Sequence, residues 1–146
     1  ALPICFEIED KLKEMLDIPV KHDDQHGTAI ITTAAIINAL EITGKNIKDL
    51  KIVILGAGAA AVACGKMYKE LGAKNILMID SKGVITKNRK DLPKHKEEFA
   101  INCDCESLKD AMQNADIFLG LSGANLVTKD MIKSMNEKPI VFALAN

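Results

Sequence analysis

At 146 residues the chain is long enough to bury a hydrophobic core and short enough to be one compact domain. Its 19 Lys and Arg offset 20 Asp and Glu, a formal charge of -1, so no long-range field draws it to nucleic acid or an anionic membrane; neither is expected as a partner, and any bound phosphate must be held locally. Aromatic residues make up 3% and Trp is absent, which removes the stacking platforms of single-strand binders.

Residues Phe6 to Leu16 put Ile8, Leu12, Met15 and Leu16 on one helical face, and Pro19 ends that helix. A polar segment, His22-Asp23-Asp24-Gln25-His26-Gly27-Thr28, leads into an Ile- and Ala-rich helix that Thr43-Gly44 closes. The apolar stretch from Thr28 to Thr43 falls short of the roughly 20 residues that span a bilayer and is broken by Asn38 and Glu41, so it reads as a buried core helix. From Lys51 the pattern changes to the continuous run Ile52-Val53-Ile54-Leu55, a strand buried on both faces. Gly58 to Leu71 reads as a helix capped by Gly72, and Ile76 to Ile79 as a second buried strand ending at Asp80, which completes a βαβ unit.

Residues Lys82 to Asp104 are strongly charged and read as a surface excursion with a short helix at Pro93 to Phe99. Beyond it come a helix at Leu108 to Met112, a strand at Ile117 to Leu121, a helix at Thr128 to Met135 and a strand at Pro139 to Leu144. The alternation predicts an α/β fold, a Rossmann-type doubly wound parallel sheet with flanking helices. Residues 1–45 form a helical lead-in to a single 1–146 domain. Cys5, Cys64, Cys103 and Cys105 read as ordinary reduced thiols. No basic leader with a cleavage site opens the sequence, so the expected location is cytoplasmic. The start at Ala1 without an initiator Met, and the stop just after a predicted strand, are what excision from a longer polypeptide would give.

Leu55-Gly56-Ala57-Gly58-Ala59-Ala60-Ala61 supplies G-x-G-x-x-A between a predicted strand and a predicted helix. Gly56 permits the tight turn, Gly58 lacks the Cβ that would hold a pyrophosphate off the backbone, and Ala61 lets helix and strand pack closely. The freed N–H groups and the helix dipole then favour a phosphate. Asp80 follows about 20 residues later, the spacing of a ribose contact. A carboxylate there favours NAD, because it repels a 2′-phosphate. Ser81 and Lys82 follow at once, however, with Lys87, Arg89 and Lys90 nearby, and these cations suit a phosphate, so NAD and NADP both stay open. The bland alternatives are a structural glycine turn and solvated surface charge.

Asp23 and Asp24 repel each other unless a cation lies between them, which points to a hard divalent metal or a proton-transfer site. Helix capping explains the same residues without a ligand. His22 and His26, four apart, mimic a metal pair, but Gly27 argues against a regular helical face there.

Taken together, the His22 to Ala29 segment, Asn38-Ala39-Leu40, the Gly56 to Ala60 turn, Ile79-Asp80-Ser81-Lys82-Gly83 and the closing Phe142-Ala143-Leu144-Ala145-Asn146 resemble the bacterial-type malic enzymes over almost the whole chain. The resemblance implies oxidative decarboxylation of malate to pyruvate and CO₂ with NAD or NADP as hydride acceptor and Mg²⁺ or Mn²⁺ as the metal, in a homodimer or higher homo-oligomer. It implies Asp24 as a metal ligand, Asp23 in the catalytic hydrogen-bond network and Asn146 at the substrate. The implied cofactor residues are Thr28, Gly56, Ala57, Gly58, Ala59, Ala60, Asp80, Ser81, Lys82, Ser122 and Gly123. The family's acid–base Tyr and Lys and its Glu-Asp metal pair precede the matching stretch, and Glu9-Asp10 is not that pair. The expectation is therefore a dinucleotide-binding piece that does not turn over malate by itself. Another Rossmann dehydrogenase of amino-acid or shikimate type, and a non-catalytic dinucleotide-sensing module, share the glycine turn and are the alternatives.

Overall fold

The computed structural model describes residues 4–145. Two helices come first, α1 (Ile4–Met15) and α2 (Asp23–Thr43). Gly44 ends α2 in the left-handed conformation, φ 71°, donating its N–H to the Leu40 carbonyl, which is the stop that the sequence predicts. After a 3₁₀ turn at Ile47–Asp49, strands and helices alternate: β1 (Lys51–Leu55), α3 (Ala59–Glu70), β2 (Asn75–Asp80), β3 (Gly83–Val84), α4 (Lys94–Glu97), α5 (Leu108–Met112), β4 (Ile117–Gly120), α6 (Lys129–Lys133) and β5 (Ile140–Ala143).

The strands form one sheet in the order β3-β2-β1-β4-β5, parallel from β2 to β5, with β3 antiparallel on the edge. This is the doubly wound arrangement. Leu55 at the end of β1 pairs with Ile79 of β2 on one side and Gly120 of β4 on the other. The chain leaves β1 and β4 in opposite directions, so a crevice opens above their carboxyl ends.

Both faces of the sheet are covered, which is why β1 is apolar throughout. Ile52 and Ile54 join the core cluster containing Ile36 of α2 and Val62 of α3, whereas Val53 and Leu55 face Met112 of α5 and Phe118. Small residues let α3 lie close to its neighbours. A Cβ on Gly65 would fall 2.5 Å from Cε1 of Phe99, so this helix-interior glycine exchanges propensity for a close approach.

Four expectations change. The α1 face formed by Ile8, Leu12, Met15 and Leu16 is open, while Glu9 is the buried residue of that helix. Helix α2 is only partly a core helix: Ala29, Thr32, Thr33 and Ile36 are buried, but Ile30, Ile31, Ile37 and Ile42 are exposed. Its apolar residues surround the helix, and α3, with the sheet behind it, covers one side only. The charged excursion also carries core residues, because Val84, Ile85 and Phe99 are buried and Val84 pairs with Ile79. In the same region the sulfurs of Cys103 and Cys105, expected as separate thiols, are in direct contact.

Asp116, ahead of β4, joins three parts of the chain. Its carboxylate accepts from Lys45 Nζ (2.9 Å), the Lys51 N–H (3.0 Å) and Asn136 Nδ2 (3.1 Å). Burial opposes its ionisation, but Lys45, the Lys51 N–H and Asn136 together hold the carboxyl below its ordinary value. Asp116→Ala is expected to cost about 2–4 kcal/mol at neutral pH, since it leaves a half-buried ammonium and two donors without their acceptor. A depressed folded-state pKa gives stability that is complete above the unfolded carboxyl's range near 4 and is lost as pH falls through the folded value. Urea unfolding at neutral pH and at about pH 3 checks both points, and the difference between wild type and variant should shrink in acid.

Candidate functional site

The turn after β1 uses its two glycines for different reasons. Gly56 has φ 123°, its N–H donates to the Ile79 carbonyl (2.8 Å), and a Cβ there would lie 3.3 Å from the Leu121 backbone, so the fold itself requires glycine. Gly58 has φ -84°, and no atom lies within 4 Å of the place where a Cβ would sit, so any residue would fit the backbone there. Its side faces open space at the start of α3. No side chain caps α3, and its first intrahelical bond runs from the Val62 N–H to the Gly58 carbonyl (3.0 Å), so the N–H groups of Ala59, Ala60 and Ala61 have no carbonyl partner within the helix. An uncapped helix start without an acidic residue in its first turn suits an anion.

The same open space is lined by Gly58, Ala59, Ala60, Ala61, Leu121, Asp24 and Thr28. The first turn of α2 therefore faces the first turn of α3. The polar segment is less of a loop than its sequence implies: α2 begins at Asp23, His22 is its N-cap, and the helix continues through Gly27. Asp23 and Asp24 stand in its first turn, where carboxylates are favoured by the dipole even without a ligand. The Asp23 side chain is 90% exposed with Lys21 Nζ at 3.8 Å, and a Cβ on Gly27 would meet Asp23 Oδ1 at 2.5 Å. Gly27 thus makes room for that carboxylate.

His26 is on a regular helical turn after all, but it faces α1. Its Nε2 lies 2.6 Å from Oε1 of Glu9, which Lys13 also pairs at 2.6 Å. Burial opposes ionisation of Glu9, yet Lys13 and His26 hold its carboxyl below the ordinary value. The sequence carried one signal for this pair, an acidic residue beside the apolar face of an amphipathic helix.

At the end of β2, Asp80 is almost enclosed by donors. The Arg89 guanidinium spans it with two bonds, Nη1 to Oδ1 (2.9 Å) and Nη2 to Oδ2 (3.0 Å), Lys96 Nζ reaches Oδ2 (3.2 Å), and the Lys82 N–H gives Oδ1 a fourth (2.9 Å). Burial works to raise the Asp80 pKa, but Arg89, the Lys82 N–H and Lys96 outweigh it and bring it to about 2. Ser81 and Lys82 form the exposed turn into β3, and Lys82 Nζ pairs with Asp91. Past β4, Gly123 lines an apolar cavity with Leu55, Phe118 and Val141, while the neighbouring Ser122 is exposed.

Residues 25–146 match the family model described as the malic enzyme NAD-binding domain. The chain is 52% identical to the NADP-dependent malic enzyme of Halomonas elongata, covering 99% of this chain and 35% of that protein. It is 48% identical to the NAD-dependent malic enzyme of Rhizobium meliloti, covering 99% of this chain and 19% of the relative. Among solved structures, the NAD-dependent malic enzyme of Thermotoga maritima superposes with a TM-score of 0.92 at 41% identity, over 99% of this chain and 40% of that one. The chain belongs to the malic enzyme NAD-binding domain family. It spans about a third or less of the length of these curated relatives.

The site residues that the resemblance implies fall into separate groups. Asp24, Thr28, Gly58, Ala59 and Ala60 share one pocket; Asp80, Ser81 and Lys82 stand at the end of β2; Ser122 and Gly123 follow β4. Ala57 is buried in the turn, and Asn146 lies outside the described residues. The open space beside Gly58 and the uncapped α3 start fit a dinucleotide pyrophosphate. For a divalent metal, Asp24 offers one carboxylate at that pocket, and no group of three His, Cys, Asp or Glu side chains gathers among the described residues. A hard cation takes six or so oxygens, so Asp24 supplies one ligand and a complete shell needs others. Lys96 is the site residue that sequence reading missed, because the short helix α4 folds it back over Asp80 from 16 residues further along the chain.

Proposed function

We propose that this chain is the dinucleotide-binding part of an enzyme that converts malate to pyruvate and CO₂ with NAD or NADP as hydride acceptor. The carrying observation is the pocket that Asp24 and Thr28 of α2 share with Gly58, Ala59 and Ala60, which brings a carboxylate to the same space as an uncapped helix start. When bound, NAD(P) accepts the hydride and Mg²⁺ or Mn²⁺ polarises the substrate oxygens. The chain's own residues bind and orient. Gly56 makes the turn with its own N–H bonded to the Ile79 carbonyl, Ala57, Gly58, Ala59 and Ala60 present backbone N–H groups to the pyrophosphate, and Thr28 closes the opposite wall. Ser122 and Gly123 border the nicotinamide half of the crevice, and Asp80, Ser81 and Lys82 its adenosine end.

In this reading Asp24 is a metal ligand and Asp23, exposed beside it, enters the catalytic hydrogen-bond network, with Asn146 contacting substrate. The remaining metal ligands and the acid–base pair come from another part of the full-length enzyme. We also infer a cytoplasmic homodimer or higher homo-oligomer with no nucleic-acid or membrane partner. Support comes from the near-zero net charge, from the lack among the described residues of a helix long and apolar enough to cross a membrane, and from the exposed Ile residues of α2, which suit a protein surface.

Titration of the chain with NADH and NADPH, followed by nicotinamide fluorescence, is expected to show saturable binding. The full-length enzyme with malate and Mn²⁺ is expected to reduce NAD(P) and release CO₂, and the 146-residue chain to show no turnover. Absence of dinucleotide binding, or a full-length enzyme that leaves malate untouched, would overturn the proposal.

A further inference from the structure

The chain's cysteines divide into two kinds. Cys64 is fully buried in α3, where burial pushes its thiol up and Thr32 Oγ1 is its neighbour at 3.5 Å, and Cys5 is half-buried on α1. Neither has a sulfur partner among the described residues. Cys103 and Cys105, by contrast, are half-buried on the segment that links the edge of the sheet to α5, and their sulfurs meet.

Residues 102–106 form neither helix nor strand, so no ladder fixes their course. In an extended stretch, side chains two apart share a face and their Cα atoms stand about 6.6 Å apart. The Cys103 and Cys105 Cα atoms are 5.2 Å apart, within the span of a disulfide, so the chain bends between them. Both residues rest on the core cluster of Val84, Ala111 and Phe118, while Asp104 and Glu106 beside them are exposed, which leaves the pair within reach of a small reagent. The Cys105 N–H donates to Cys103 Sγ at 3.0 Å. A donor aimed at one sulfur favours negative charge there, which makes Cys103 the better nucleophile of the two.

A structural crosslink is a poor account of this pair. Closing a loop of three residues removes little freedom from the unfolded chain, and both ends of the segment are held without it. The Ile101 N–H donates to the Ile85 carbonyl (3.2 Å), and its carbonyl accepts from the Lys87 N–H (3.0 Å). Ser107 fixes the other end through its capping box with Asp110.

We propose that Cys103 and Cys105 are a redox-active dithiol, closed and reopened by exchange with low-molecular-weight disulfides of the glutathione class, with Cys103 the attacking sulfur. The Cys103 thiolate attacks one sulfur of the small disulfide, whose S–S bond breaks; a mixed disulfide forms and the first small thiolate leaves. The Cys105 sulfur, its proton given to solvent, then attacks Cys103 Sγ, and the second small thiolate leaves. The pair loses two electrons and two protons, and the small disulfide takes them up as two thiols. This site is independent of the dinucleotide reading. Its state sets the course of the chain directly after Ile101, so closure steadies the two hydrogen bonds that join Ile101 to Ile85 and Lys87.

The test equilibrates the intact chain with reduced and oxidised glutathione at a series of ratios, followed by acid quench, alkylation, trypsin and mass spectrometry. Cleavage after Lys96 and Lys109 gives one peptide, 97–109, that holds both sulfurs and no other cysteine. In wild type this peptide is expected to pass from two alkylated thiols to an internal disulfide, two hydrogens lighter, as the oxidised share rises, and to return under excess reduced glutathione. Cys105→Ser is expected to keep glutathione as a stable mixed disulfide on Cys103, and Cys103→Ser to capture it about tenfold or more slowly. Amide exchange at Ile101 and Lys87 is expected to be about threefold or more slower in the oxidised than in the reduced wild type. A peptide that stays reduced or holds only glutathione adducts at every ratio, or an internal disulfide that excess reduced glutathione does not reopen, would overturn the proposal. Equal capture by the two serine variants overturns the role of Cys103, and unchanged amide exchange overturns the link to the sheet edge. If either variant does not fold by circular dichroism, the alkylation rates of the two sulfurs in reduced wild type decide the same order.

Discussion

Replacing Asp24 by Ala in the full-length protein is expected to lower the proposed malate turnover by about 10²- to 10⁴-fold, the several kcal/mol that a polarising metal contributes. The physical ground is the placement of Asp24 at the start of α2, facing Gly58, Ala59 and Ala60 across the pocket. A carboxylate there repels a pyrophosphate unless a cation lies between them. NAD(P)H affinity measured without divalent metal should accordingly stay the same or tighten when Asp24 is removed. Loss of turnover with retained dinucleotide binding separates a metal-ligand role from a simple capping role, because helix capping at the first turn is worth only about 1 kcal/mol of stability. Turnover within about fivefold of wild type would end the metal assignment.

Gly58→Val is expected to weaken dinucleotide binding by about 10- to 100-fold, the worth of one or two phosphate hydrogen bonds from the helix start, while the unfolding free energy changes by no more than about 1 kcal/mol. The separation of the two effects comes from the geometry. Gly58 has an ordinary φ of -84°, and nothing lies within 4 Å of the place a Cβ would occupy. Gly56 offers no such separation, since φ 123° and the Leu121 backbone at 3.3 Å make any side chain there a folding defect as well. Calorimetric titration with NADPH, alongside a urea melt of each variant, reads binding and stability independently. Unchanged affinity in Gly58→Val would show that the open space is not where the pyrophosphate lies.

Local pattern carried much of this structure. The apolar run at Ile52 to Leu55, the Gly56 and Gly58 turn, the stop at Gly44 and the strand ending at Asp80 follow from residue type and spacing, and each reappears where the pattern puts it. Asp23 and Asp24 were legible as adjacent carboxylates at the entry to a helix, although their place within its first turn was not, because Gly27 is a breaker by propensity and the helix runs through it. Packing on the neighbouring layer overrides a penalty of about 1 kcal/mol.

What pattern could not supply is which residues meet across the sheet. The excursion after β2 has the composition of a solvated loop, yet Phe99 packs against Gly65 and Lys96 returns to Asp80. Likewise Glu9 finds His26, and Asp116 finds Lys45 and Asn136, through contacts between segments far apart in sequence. Periodicity reports which side of an element is apolar, and it also misled for α1 and α2, whose apolar faces are partly uncovered.

Sequence alone determined the Rossmann-type architecture and the dinucleotide turn, because both rest on short-range chemistry: glycine's freedom, alternation of strand and helix, and an acidic residue at one spacing. Tertiary structure decided the state of that acidic residue. Asp80 reads as an open acceptor in the sequence and is found saturated by Arg89, Lys96 and the Lys82 N–H, since the cost of leaving a partly buried carboxylate unpaired draws in cations that no local pattern assigns to it.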